Sequence, residues 1–322
     1  AQVWIADERG QRAASRLIVD RGRCASLAWS PDGKRIAFVD DDTRIQIIEL
    51  ATGRITTADN DGSNIGRGNM GITWSPDSKW LAYAKYFPNQ LHRIVVWSLE
   101  SGRAIPLTDA MADASSPVWD KNGHHIYFLA STNVGLGSGW ANTSANLANP
   151  SYGAYVLLLR AGEATPFPLK SDEEATAPPA KLDTSAVVVR IDTAGVERRI
   201  LALPIPVRRY TDLFAGPSGT VFIAERVENA PGLTLHKFTV TDAKVDVFVR
   251  GVQRVSLAAD GKKMLYQSGD VWSVVGTDAP PTPGKGTVRV ALRMQLDRMA
   301  EWQQMFDEAW HYEKDFFYDP NM

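Results

Sequence analysis

The chain has 322 residues, of which 44% are hydrophobic and 22% are charged, and its formal net charge is −2. A near-neutral chain without basic stretches predicts no nucleic-acid partner, and without an apolar run of about 18 residues it predicts no membrane span. The single cysteine, Cys24, excludes an internal disulfide and is expected to be a buried apolar side chain. We expect a cytoplasmic location on this basis, with a periplasmic one as the alternative.

In chain order, residues 3–6 and 16–19 first predict two outer strands of one blade. The inner strands of that blade would lie upstream in a longer parent or come from the C-terminus. Complete units of four strands are expected at about 24–58 and 69–108, and a third begins at Ser115.

These units share one motif, in which an apolar run ends in tryptophan, enters a tight turn and continues with alternating polar and apolar residues. The copies read LAWSPDGKRIAF at 27–38, ITWSPDSKWLAY at 72–83 and PVWDKNGHHIYF at 117–128. Their tryptophans, Trp29, Trp74 and Trp119, are spaced by 45 residues each time. A period of roughly 40–45 residues with strand-like units is typical of propeller blades.

The pattern weakens after the third motif and then returns. Residues 131–151 predict a long surface insertion, and residues 161–184, with four prolines, predict a crossing segment. Further strands are expected at 186–191, 198–203, 213–224, 255–267, 271–275 and 288–294. We therefore expect an all-β fold, a β-propeller of seven blades that is nearly complete, over residues 1–295.

The hydrophobic period changes to that of a helix near the C-terminus. The apolar face contains Met299, Trp302, Phe306, Ala309, Trp310 and Phe317. Asp297 is expected to cap the helix and Pro320 to prevent its continuation. We assign residues 296–322 to the beginning of a further, absent domain; docking of the helix on the propeller is the alternative.

No catalytic or metal-binding motif is recognisable. GLGSG at 135–139 does not have the spacing of a nucleophile elbow, and GRGNMG at 66–71 precedes a strand instead of the helix that binds pyrophosphate. The histidines, including His124 and His125, have no metal-ligand spacing. We expect no catalytic residue, cofactor or metal in this chain.

Four arginines form the candidate site. Arg23, Arg67, Arg209 and Arg254 each lie shortly before a repeat hairpin, whereas the third blade has Asp113 at this place. The first strand of each blade would line the central channel, so these guanidinium groups would lie at one channel mouth and attract peptide carboxylates. Small and polar residues along these strands, Ser26, Asn69, Thr73 and Ser116, suit a water-filled channel. The alternative is that the arginines are ordinary solvated surface residues.

The WSPDG-type repeat resembles that of TolB-like and tricorn-like propellers. Three more segments resemble the tricorn-type peptidases: LR, PFP and SDEE within 159–174; VRID, RRI and LPIP within 189–206; and EW, FDEAW and DFFYDPNM within 301–322. Together these resemblances cover most of residues 24–322.

The resemblance implies that the parent is a tricorn-type serine peptidase of the S41 class. A seven-bladed propeller would be followed by helical, PDZ-like and catalytic parts, whose Ser, His and Glu groups lie after residue 322. The propeller would then be a channel or sieve that admits peptide substrates to the downstream catalytic domains of a homo-oligomeric parent. A TolB-like interaction propeller without enzymatic activity is the alternative, and the final helix argues against a third class, the prolyl-oligopeptidase type.

Overall fold

The computed structural model describes residues 3–7, 9, 11, 13–17, 24–40, 42–60, 70–134, 150–167, 187–289, 291, 295–317 and 319. The chain forms two compact units, Ala1–Thr287 and Val288–Met322. The domain boundary expected between residues 295 and 296 stays a prediction.

The first unit consists of antiparallel sheets in which successive strands are neighbours. The first sheet has only two strands, β1 (Val3–Ile5) and β2 (Ser15–Leu17). Blade 1 contains β3 (Ala25–Trp29), β4 (Arg35–Val39), β5 (Arg44–Glu49) and β6 (Ile55–Asn60). Blade 2 contains β7 (Thr73–Trp74), β8 (Trp80–Tyr86), β9 (His92–Ser98) and β10 (Ala104–Pro106). Blade 3 contains β11 (Asp113–Trp119), β12 (His125–Ser131), β13 (Gly153–Leu158) and β14 (Ile200–Ala202). Blade 4 contains β15 (Tyr210–Ala215), β16 (Thr220–Glu225), β17 (Leu233–Thr239) and β18 (Lys244–Val252). Blade 5 contains β19 (Arg254–Leu257), β20 (Lys263–Ser268) and β21 (Val271–Gly276).

The predicted all-β propeller is confirmed, but the expected seven blades are wrong for the described residues, which form five blades and one strand pair. One reason is that residues 187–203, within the strands expected at 186–191 and 198–203, do not begin a new unit. Residues 187–191 lie outside any strand, and 200–202 form β14, which completes blade 3 by pairing with β13. Of the strand expected at 288–294, residues 288, 289 and 291 lie outside any strand and the others lie outside the described residues, while Thr287 makes an isolated bridge to Ser273.

Neighbouring blades pack face to face because alternate residues of a strand point to opposite faces of its sheet. In β8, Leu81 and Tyr83 pack against blade 1, whereas Ala82 and Ala84 pack against blade 3. The same alternation joins every successive sheet from the β1–β2 pair to blade 5. The repeated period-2 pattern in the sequence is therefore the origin of these interfaces.

The repeat tryptophans connect the first strands of adjacent blades. Trp74 Nε1 donates a hydrogen bond to the Ala28 carbonyl at 3.1 Å, and Trp119 Nε1 donates to the Thr73 carbonyl at 3.2 Å. Both indoles are buried, but Trp29 is 52% exposed. Among the described residues, the β1–β2 pair before blade 1 supplies no inner strand that could cover Trp29.

The turns that follow the first strands also meet their neighbours. Asp32 N donates to Ser78 Oγ at 3.0 Å, which links the turns of blades 1 and 2. In blade 5, Gly261 has a φ of +72°, and a Cβ there would lie 2.4 Å from the Gly216 carbonyl carbon. Only glycine permits this approach, whereas Gly33 in blade 1 has a φ of +68° and no atom within 4 Å of its hypothetical Cβ.

The second unit contains α1 (Arg298–Phe316), as the helical period predicted. Asp297 Oδ1 accepts hydrogen bonds from Met299 N and Ala300 N, so the expected N-cap is confirmed. The apolar face is open, with Trp302 57% and Phe306 68% exposed. In the described part of the chain, no helix combines the length and apolar character that crossing a membrane requires.

Candidate functional site

The first strands of the blades adjoin one another and border a cavity. β7 contacts β3 and β11, and β11 contacts β15. The cavity has a volume of about 440 Å³ and is lined by residues of β7, β11 and β15, by 257–259 of blade 5, and by the turns that follow the first strands. This volume lies within the roughly 300–1,000 Å³ range of ligand pockets.

The wall of the cavity combines apolar and polar groups. Thr73 and Ser116, two of the small polar residues expected along the channel, line it together with Trp74, Leu213 and Phe214. Ser26 lies in β3, which does not contribute to the lining, and Asn69 lies outside the described residues. A mixed wall of this kind can contact both the side chains and the main chain of a peptide.

A residue with a left-handed backbone recurs at one position in or just before the inner strands of blades 1 to 3. Ser26, Gly71 and Ser116 are 45 residues apart, and their φ angles are +53°, +59° and +52°. The strand pairing shifts register beside Ser26 in β3 and beside Ser116 in β11. A bulge leaves one residue outside the ladder, and a left-handed serine costs roughly 1–2 kcal/mol. The inner strands therefore keep a backbone conformation that regular strand pairing does not require.

The cavity is also lined by two charged residues that the sequence analysis did not identify. Lys121 belongs to the DKNG turn of blade 3, and removal from bulk water lowers its pKa, although Asp120 and Asp260 act in the opposite direction. Asp212 of β15 faces the cavity, and partial removal from water raises the pKa of this carboxyl. The signal for Lys121 was the departure of its turn from the SPDG pattern.

Beside the cavity, a buried carboxylate fixes blade 3 to blade 4. Asp120 is 2% exposed, and its Oδ2 accepts from Tyr127 Oη at 2.7 Å and Gly219 N at 2.9 Å. Its Oδ1 accepts from Asn122 N at 2.9 Å and Ser218 Oγ at 3.2 Å. Burial, together with the Asp120 carboxylate, raises the pKa of the Tyr127 hydroxyl, which therefore stays a donor.

Two of the four predicted arginines can be placed. Arg209 directly precedes β15 and Arg254 begins β19, and both side chains are exposed. Neither lines the cavity, and neither guanidinium has an ion-pair partner in the described part of the chain. Arg23 and Arg67 lie outside the described residues, so the proposed ring of arginines stays a prediction.

The residue that replaces arginine in blade 3 has a partner of its own. Asp113 is buried, and its Oδ1 accepts from His92 N at 2.7 Å and lies 2.7 Å from His92 Nδ1. Burial alone would raise the pKa of Asp113, but the hydrogen bonds from His92 outweigh burial and hold the pKa below its usual value.

The histidine pair, His124 and His125, does not line the cavity and lies beside Glu163. His124 Nδ1 is 2.6 Å from Glu163 Oε1, and His125 Nε2 is 3.9 Å from the same oxygen. Over the ranges that the structure describes, no group of three or more histidine, cysteine or acidic side chains has an arrangement that could hold a metal ion.

The fold and the cavity define this chain as a β-propeller whose inner strands surround a ligand-sized space. Residues 1–277 match the family model of the Tricorn protease second beta propeller domain, and the chain belongs to this family.

Two curated relatives are each 24% identical to this chain. They are Tricorn protease homolog 1 of Streptomyces coelicolor, which matches over 99% of this chain and 33% of its own length, and a putative Tricorn-like protease C-terminal subunit of Sulfurisphaera tokodaii, with 95% and 35%. The chain thus spans about a third of the length of these relatives.

The crystal structure of the tricorn protease superposes with a TM-score of 0.77 at 18% identity, over 99% of this chain and 31% of that chain. TolB from Acinetobacter baumannii superposes with a TM-score of 0.52 at 16% identity, over 86% of this chain and 57% of that chain. At these identities, both structures support the fold alone.

Proposed function

We propose that this propeller admits peptide substrates to catalytic groups that lie elsewhere in a tricorn-type serine peptidase. The observation that carries the proposal is the cavity of about 440 Å³ between the inner strands of successive blades, in a chain that belongs to the tricorn second-propeller family. The propeller itself would contribute no catalytic residue, and the downstream catalytic domains and homo-oligomeric assembly of a cytoplasmic parent are part of the same proposal.

The wall of the cavity suits an unfolded peptide better than a folded protein or a small charged metabolite. Apolar side chains such as Trp74 and Phe214 offer contact area to any sequence, and the hydroxyls of Thr73 and Ser116 can exchange hydrogen bonds with a peptide main chain. Lys121 and Asp212 add one group of each sign to the wall, and partial removal from water lowers the pKa of the amine and raises that of the carboxyl.

The first experiment narrows the cavity in the full-length peptidase. Ala258 is exposed and lines the cavity, so Ala258→Trp should obstruct it without removing a core contact. We expect kcat/KM for peptides of ten or more residues to fall about tenfold, while hydrolysis of a chromogenic dipeptide is unchanged. Ala230→Trp, at an exposed loop outside the cavity, is the matched control.

Equal hydrolysis of long peptides by the Ala258→Trp variant and the unmodified peptidase would overturn the channel and favour a protein-interaction propeller. Hydrolysis of a chromogenic peptide by the isolated chain would contradict the non-catalytic role.

A second experiment tests capture by the arginines. In the full-length peptidase, replacing Arg23, Arg67, Arg209 and Arg254 by alanine should raise KM severalfold for peptides with acidic C-termini, because the positive potential at the channel mouth is lost. The effect should weaken at high salt, and peptides with amidated C-termini serve as the control. Unchanged KM values would refute the arginine ring but leave the channel proposal intact.

A further inference from the structure

A second cavity, with a volume of about 240 Å³, lies at the junction of blades 2 and 3. Its floor is made of the small side chains of Ala112, Ala114 and Ala130, and Ala114 is the cross-strand partner of Ala130. The outer strand of blade 2, β10, has only three residues, whereas β12 of blade 3 has seven. Blade 2 therefore leaves part of the facing surface of blade 3 uncovered.

One wall of this blade 2–3 pocket is aromatic. Phe128 and Tyr155 are cross-strand partners on β12 and β13, and their rings stack with centroids 5.6 Å apart and an interplanar angle of 21°. Phe128 is buried, while Tyr155 is half-buried and faces the pocket. Within the described part of the chain, the Tyr155 hydroxyl has no hydrogen-bond partner.

The rim of the pocket is acidic, and no basic residue is among the described residues that line it. Asp109 and Glu197 are both exposed. Asp109 Oδ1 accepts from Met111 N at 2.9 Å, and Glu197 lies 3.9 Å from the Nε atom of Arg198, a side chain that is 88% exposed. Both carboxylates therefore retain acceptor capacity for a ligand.

Two arginines near the pocket, Arg93 and Arg199, are held by other contacts. Arg93 Nε donates to the Thr108 carbonyl at 2.7 Å, and its guanidinium lies over the Phe87 ring. Arg199 donates to main-chain carbonyls, among them that of Leu158 at 3.0 Å. The negative charge of the rim is thus available to a cation from outside the chain.

We propose that the blade 2–3 pocket binds the guanidinium group of an arginine presented by a partner polypeptide. A planar cation can stack on the Tyr155 ring while its N–H groups donate to carboxylates, a combination for which arginine is better suited than lysine. The volume lies below the roughly 300–1,000 Å³ of small-molecule sites, which favours a single side chain as the occupant. Among the described residues, the pocket shares no lining residue with the central cavity, so the two sites can be altered by separate substitutions.

Titration with Nα-acetyl-arginine methylamide tests the proposal. Alanine methyl groups form the floor of the pocket, so methyl NMR of the chain labelled at alanine reports occupancy directly. We expect saturable shifts of the Ala114 and Ala130 signals, which weaken as salt is raised, and no comparable shifts with the neutral citrulline analogue. The double variant Asp109→Asn, Glu197→Gln should weaken binding about tenfold, whereas Glu228→Gln, at an exposed loop of blade 4, should not change it.

Equal shifts with the citrulline analogue, or no saturable shift at 50 mM ligand, would overturn the proposal. Both substitutions are isosteric and at exposed positions, and retention of the remaining methyl spectrum verifies the fold. In the full-length peptidase, the double variant should hydrolyse arginine-containing peptides at the normal rate. Slower hydrolysis of these peptides alone would show that the pocket binds substrate and would refute the proposed partner polypeptide. This outcome is independent of the channel experiment.

Discussion

Replacement of Asp120 by asparagine should break the connection between blades 3 and 4. Each carboxylate oxygen accepts two hydrogen bonds, from Tyr127 and Gly219 on one side and from Asn122 and Ser218 on the other. An amide has one oxygen, so in either orientation its NH₂ group faces one main-chain N–H, which loses its acceptor, and one hydroxyl, which can rotate to accept instead. Hydrogen bonds to a charged group contribute about 1.5–3 kcal/mol each, so the one lost bond gives an expected loss of at least about 1.5–3 kcal/mol.

Urea unfolding followed by tryptophan fluorescence measures this loss at pH 7. The matched control is Asp246→Asn, because Asp246 pairs with Lys244 at 3.0 Å on the surface, where both side chains are at least 60% exposed. That variant should stay within about 1 kcal/mol of the unmodified chain. A change of less than about 1 kcal/mol for Asp120→Asn would refute the argument that this carboxylate connects the two blades.

Three further predictions are checked by urea unfolding, and the first two compare matched positions of the repeat. Trp74→Phe should lower the free energy of unfolding by about 1–2 kcal/mol because the partly buried Ala28 carbonyl loses its donor. Trp29→Phe should have little effect, and equal effects of the two substitutions would contradict the inter-blade role of the indole. Gly33→Ala should lower the free energy of unfolding by about 1–2 kcal/mol because of its left-handed backbone. Gly261→Ala should lower it clearly more or prevent folding, since its Cβ meets main-chain atoms. Equal losses for the two variants would disprove the close approach. The lowered pKa of Asp113 stabilises the fold above the unfolded pKa of about 3.9, and this stabilisation is lost as pH falls through the folded value. The difference between the unmodified chain and Asp113→Asn should therefore shrink below about pH 4, and a constant difference would contradict this reasoning.

The features that the sequence predicts well are those with a local physical cause. The tryptophan, the turn and the alternating strand of each motif lie within about twelve residues, so their chemistry identifies the inner hairpin of a blade without knowledge of its partners. The cap at Asp297 is equally local, and the structure confirms it.

The features that the sequence predicts poorly depend on contacts between distant segments. β14 pairs with β13 although residues 159–199 lie between them, and no local pattern encodes that pairing. Lys121 and Asp212 meet the same cavity only because blades 3 and 4 are neighbours. The blade 2–3 pocket depends on the shortness of β10, and hydrophobic periodicity does not predict where a strand ends.

The face-to-face order of the sheets has a consequence for the motions of the molecule. The core clusters found in the described residues join each sheet only to the next one along the chain, as in a linear array of repeats. Amide protons of blades 2 to 4 should therefore exchange with deuterium most slowly, while the β1–β2 pair and blade 5, where Trp4 is 56% and Val274 41% exposed, should exchange earlier. A neighbouring domain that covers either end would slow exchange there, so deuterium uptake at the two end sheets would report how this propeller is built into a larger assembly.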